Sequence, residues 1–92
     1  MEIVAILPNG KRIMAWHLEV LHALRRVGAS SPDDARTKRN VLRKYPGLPS
    51  RHWWRVVECG LAMRCHSAES GRQWEYYLTT LGWDILKEFG SG

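Results

Sequence analysis

Apolar residues recur along this chain with two distinct periods, and the switch between them marks out the elements. From Ala15 to Val27 (AWHLEVLHALRRV), Trp16, Val20, Ala23, Leu24 and Val27 form one stripe at helical spacing, widened by Leu21. Arg25 and Arg26 occupy the last turn of this predicted helix, where cations meet the negative helix end, and Gly28 is placed to terminate it. From Arg51 to Leu61 (RHWWRVVECGL), Trp53, Val56, Val57, Gly60 and Leu61 make a second stripe, with Arg51, Trp54, Arg55 and Glu58 facing outward. Gly60 can close that helix in the left-handed conformation other residues resist. The period then becomes two. Met63 and Cys65 alternate with Arg64 and His66, and Trp74, Tyr76 and Leu78 alternate with Glu75 and Tyr77, which predicts a hairpin. Ser67 to Arg72 is its polar tip. Thr79 or Thr80 then caps a last helix, whose Ile85, Leu86 and Phe89 return to the core, with Gly82 permitting close approach to the hairpin.

Between the first two stripes, Ser31-Pro32-Asp33-Asp34 is a helix start: serine for the cap, proline for the first position, carboxylates at the positive end. The adjacent aspartates point about 100° apart on a helix, so capping suits them better than acid–base chemistry. A helix from there to about Lys44 has only Ala35, Val41, Leu42 and Tyr45 to bury. Tyr45-Pro46-Gly47-Leu48-Pro49 breaks the chain, and Ser50 can cap the helix that follows. The N-terminal EIVAIL before Pro8-Asn9-Gly10 is a strand and turn that must pack on the domain, extend the later ribbon or pair with another subunit. The whole is an α+β chain.

With 92 residues the chain holds one small core. No apolar run reaches the ~18 residues of a membrane span. The N-terminus lacks the basic leader of a secretory signal, so a cytoplasmic location is expected. Cys59 and Cys65 are expected to be reduced there, and with His66 they lack zinc-site spacing. His17 and His22, five apart, share no metal-binding face and are expected at the surface. No phosphate loop, nucleophile elbow or paired carboxylates are present, so neither an enzyme nor a cofactor or metal is expected.

Charge alters the picture more than composition does. The net charge is +5, and Arg36, Lys38, Arg39, Arg43, Lys44, Arg51 and Arg55 lie between Ala35 and Val57 with no acidic residue among them. Such a block is the footprint of a polyanion partner, although a merely solvated helix face looks the same in sequence.

The run SRHWWRVVECGLAMR followed by GRQWEYYLTTLGWDIL resembles the second half of bacterial winged-helix regulators of the MarR-like and PadR-like kind. The matching positions are Gly60-Leu61, Gly71-Arg72, and Tyr76-Tyr77-Leu78-Thr79 with Gly82. The chain differs from that pattern in its Trp53-Trp54 pair, its first strand and its lack of long terminal helices. The resemblance implies a winged helix-turn-helix domain over 1–92. Its parts are an N-terminal strand or hairpin at 1–14, three helices over 15–61, a wing at 62–78, a C-terminal helix at 79–89 and a tail at 90–92. It implies a regulator of transcription, a repressor, binding double-stranded DNA as a dimer.

Within that resemblance, Ser50, Arg51, His52 and Arg55 open a recognition helix and read bases in the major groove. Arg36, Lys38, Arg39, Arg43 and Lys44 contact phosphates, while Arg64, His66 and Arg72 on the wing reach the adjacent minor groove or the backbone. The competing reading is a phage- or mobile-element-type adaptor or inhibitor, using the fold to bind protein through Trp54 and Trp83.

Overall fold

The computed structural model describes residues 3–66 and 73–89. Its central helix α1 (Ala15–Arg26) buries Val20, Leu21, Ala23 and Leu24, the stripe its spacing predicts. Gly28, at φ +78°, ends it. The Gly28 amide donates to the Arg25 carbonyl and the Ala29 amide to that of Leu24, two bonds that satisfy carbonyls a helix end otherwise leaves orphaned.

The N-terminal segment forms a hairpin of β1 (Ile3–Ile6) and β2 (Arg12–Met14), separate from the other sheet. Of the three arrangements open from sequence, it takes the first and packs on its own domain, burying Leu7 and Ile13. His17 departs from expectation here. It is 2 % exposed rather than at the surface, because its Nδ1 accepts the Met14 amide at 3.0 Å and closes the first turn of α1 beneath the hairpin.

The second helix also begins later than predicted. Pro32–Asp34 make a single 3-10 turn, and Ala35 is extended. Arg36–Thr37 form a short strand, β3, and only then does α2 (Lys38–Lys44) start, capped by Thr37, whose Oγ1 accepts the Asn40 amide. The reason is non-local. Arg36 and Thr37 pair antiparallel with Tyr76 and Glu75, so the sheet ladder competes with the local capping signal at Ser31 and wins. The Ser31 hydroxyl donates to the Asp34 carboxylate instead of capping a helix, and the Ser31 carbonyl accepts the Asp34 amide.

Helix α3 (Trp54–Glu58) leads into β4 (Ala62–His66), which pairs with β5 (Trp74–Leu78) in the register Ala62 to Leu78, Arg64 to Tyr76 and His66 to Trp74. The sheet order is β3-β5-β4, antiparallel throughout. Thr79 caps α4 (Thr80–Phe89), accepting the Gly82 amide and donating to the Gly60 carbonyl. Ile85 and Leu86 reach the core as expected, whereas Phe89 remains exposed. The described residues thus form an α+β fold of four α-helices and two small antiparallel sheets around one core. No helix among them is long and apolar enough to cross a membrane.

Candidate nucleic-acid interface

The segment between α2 and α3 brings the candidate readout residues together, but not on a helix. Helix α3 is five residues long, and Ser50, Arg51 and His52 precede it in a loop. A helix spanning 50–61 is therefore corrected to one spanning 54–58. His52 is the reason: at φ +66° its backbone is left-handed, which interrupts a right-handed helix. Arg55 alone of the four lies within α3.

Trp53 anchors this loop. Its ring is 2 % exposed, packs edge-on against Tyr76 with centroids 5.2 Å apart, and donates its Nε1 hydrogen to the Pro49 carbonyl at 2.7 Å. Lys38 reaches across from α2, its Nζ donating to the Ser50 carbonyl at 2.8 Å. At the far end, Gly60 at φ +76° stops α3 as expected, with the Leu61 amide bonded to the Val56 carbonyl. Buried Trp53, Val56 and Leu61 leave Arg51, Trp54, Arg55 and Glu58 exposed, as the stripe predicts.

The outer surface has a definite layout. Ser50, Arg51, His52 and Arg55, all exposed, line one open groove of about 560 Å³ together with Trp16. Trp16 is the contributor that sequence reading missed, since its place in the α1 stripe assigns it to the core; it is in fact half-buried. The Arg55 guanidinium lies 5.2 Å from the ring centre of Trp54, with the His52 ring 6.4 Å away on that indole's other flank of sequence. Trp54 is 48 % exposed, whereas Trp83 is half-buried with Arg25 over its ring.

Electrostatics of α3 depend on the N-terminal hairpin. Glu58, the acid on its outer face, is joined to Lys11 at 2.6 Å. That bond raises the Lys11 ammonium above its ordinary pKa and lowers the Glu58 carboxyl below its own, so both are charged and offset one another. The cations beside them keep an excess of positive charge.

The block of basic residues on β3 and α2 divides. Arg36, Arg39, Arg43 and Lys44 are exposed, whereas half-buried Lys38 is committed to the Ser50 carbonyl. Lys38 and Arg39 border a smaller groove of about 280 Å³ beside Trp74 and Tyr76. Lys44 borders a different one with Arg26 and Tyr45.

On the sheet, the register places Arg64, His66 and Trp74 on the face through which Tyr76 meets Trp53. Trp74 shares the face of Tyr76 and Leu78 but lies past the edge of the core and stays 39 % exposed. The Arg64 guanidinium sits 4.3 Å from its ring centre, and the His66 ring 4.0 Å. Arg64 and His66 thus share a side of the sheet with the segment that Trp53 anchors. Arg72, the remaining wing candidate, lies outside the described residues.

Other titratable groups lie off this surface. Burial, then the Arg55 charge, lowers the His17 pKa; burial, then Arg26 and Arg25, lowers that of half-buried His22. Burial raises both the Cys59 and the Cys65 thiols, with Glu58 and Glu75 adding to it, and both cysteines are free. No group of three or more potential metal ligands occurs among the described residues. Comparison of the chain with protein-family models, with curated proteins and with solved structures returns no match.

Proposed function

We propose that this chain is a winged helix-turn-helix regulator, a repressor, that binds a specific sequence of double-stranded DNA as a dimer. The observation that carries the reading is the single groove formed by Ser50, Arg51, His52 and Arg55, on the same side of the sheet as Arg64 and His66. Support also comes from β3, which adds a third strand beside the β4–β5 ribbon and ties it to the start of α2. Helix, turn and short helix then stand against the ribbon as one unit.

The recognition element in this reading is a loop and one helical turn. Five residues rise only about 7.5 Å, less than the ~12 Å width of the major groove, so the end of the segment enters rather than its length. Arg51 and Arg55 offer paired donors to guanine O6 and N7, each such contact worth about 1–3 kcal/mol of discrimination. Arg36, Arg39, Arg43 and Arg64 supply phosphate contacts, which give affinity without reading sequence. Lys38 acts differently from its neighbours, holding the Ser50 carbonyl and so the shape of the loop.

Selection of bound duplexes from a random library tests the reading: an enriched inverted repeat is expected. Arg51→Ala and Arg55→Ala should then weaken the selected site far more than random DNA. Arg39→Ala should weaken both alike and reduce the salt slope by about one unit. Binding to every duplex left unchanged by all three substitutions sinks it.

A second reading has one observation in its favour. Trp54 is 48 % exposed, and tryptophan is enriched at the energetic centres of protein interfaces. An adaptor or inhibitor that binds protein through this face would retain a stoichiometric partner in a pull-down after nuclease treatment, and would lose it on Trp54→Ala. Trp83, half-buried under Arg25, adds less to that case.

A further inference from the structure

A second groove, of about 500 Å³, runs between the N-terminal hairpin and α3 and is bordered by Lys11, Arg12, His17, Trp54, Arg55 and Glu58 among others. One of its bordering residues, His17, carries an unsatisfied donor. His17 is 2 % exposed, and its Nδ1 is occupied as the acceptor of the Met14 amide. The neutral ring therefore carries its hydrogen on Nε2, and that buried nitrogen has no partner among the described residues. A buried N–H without an acceptor is uncommon and marks a place where one is wanted.

The charges around it specify what kind. Glu58 is paired with Lys11 at 2.6 Å, so Lys11, Arg12 and Arg55 set three cations against one carboxylate along the same walls. Arg55 lies near enough to His17 to disfavour a second positive charge on the ring. A cation is excluded; an anion with an accepting oxygen fits both partners. The outer wall, Trp54 and Arg55, consists of exposed side chains that can rotate without disturbing the core.

We propose that this groove binds a phosphate-class oxyanion, held by the His17 Nε2–H and the Arg55 guanidinium. Free phosphate and a DNA backbone phosphate share this chemistry. Only the second source rests on the function proposed above, and it would make the N-terminal hairpin a lateral clamp on DNA lying against α3.

The test follows the His17 ring nitrogens by NMR in ¹⁵N-labelled protein above neutral pH, titrated with inorganic phosphate against chloride at constant ionic strength. A saturable shift of His17 Nε2 is expected in the millimolar range. It should weaken about tenfold or more in Arg55→Ala, and the accompanying phosphate-dependent shifts of the Arg12 and Arg55 backbone amides should be lost in His17→Asn, whose amide oxygen can still accept the Met14 amide. Arg55 is exposed, so that variant decides the matter should His17→Asn fail to fold. No saturable shift, or an equal one from chloride, overturns the proposal. A short duplex that displaces phosphate from His17 upholds the site and identifies the backbone as its source; a duplex that binds without doing so upholds it for free phosphate. Phosphate binding without any duplex binding upholds the groove and rejects the regulator.

Discussion

His52→Gly should make this protein more stable and, on the function proposed above, weaken its binding to DNA. His52 is a non-glycine residue at φ +66°, and its side chain is exposed, with its nearest ring neighbour, Trp54, 6.4 Å away. A side chain in the left-handed region costs about 1–2 kcal/mol, which glycine does not incur. Glycine gives back part of that, about 0.4–1 kcal/mol, through the greater freedom of its unfolded chain. The net gain is about 0.5–1 kcal/mol, or about 3–5 °C in melting temperature for a domain of this size. If the imidazole is retained there because it meets the duplex, its loss should weaken the selected site by about 1 kcal/mol, roughly fivefold. Thermal melting and a binding isotherm on the same preparation check both limbs. A lower melting temperature would show that the side chain supports the fold; a higher one with unchanged affinity would remove His52 from the interface.

Other outcomes follow from the same geometry. Gly82→Ala would drive a methyl group into the Leu61 carbonyl and to 3.3 Å from Leu78 Cδ2, so α4 must lift from the sheet; a loss of about 3 kcal/mol is expected in urea unfolding. Thr37→Ala removes the cap of α2 and should cost about 1 kcal/mol by the same assay, whereas Ser31→Ala, whose residue caps nothing, should cost much less. His17 has a folded pKa below its ordinary 6.5, so the unfolded chain takes up its proton first. The stability it confers is complete above pH 6.5 and is lost as pH falls through the lower folded value; His17→Asn should flatten that part of a urea-midpoint profile.

Much of the fold was legible because it is written locally. The α1 stripe, the stops at Gly28 and Gly60, the break at Tyr45–Pro49 and the alternation in β4 and β5 each depend on neighbours a few residues away. What escaped was non-local. Arg36 and Thr37 are a strand because Glu75 and Tyr76 lie beside them, about forty residues on, and nothing in Ser31-Pro32-Asp33-Asp34 announces it. His17 looks like a surface histidine until the hairpin folds over it.

The candidate site was legible as a set and misread as a shape. Ser50, Arg51, His52 and Arg55 do converge, yet three of them do so from a loop, since the chain turns at His52 against its own preference. Trp16 joins them only because α1 begins beneath that loop. Phe89 continues the spacing of α4 but falls beyond the core it was expected to join.

A five-residue helix has no stability of its own. The orientation of α3 is imposed from outside: by Trp53 in the core, by Lys11 on Glu58, by Lys38 and Pro49 on the loop, by Thr79 on the Gly60 carbonyl. The fasteners and the outward-facing letters are therefore different residues. Arg51, Trp54 and Arg55 fasten nothing and can be rewritten without loosening the frame, whereas the left-handed backbone at His52 limits what can stand there; the domain is a scaffold whose outward surface can be altered one position at a time.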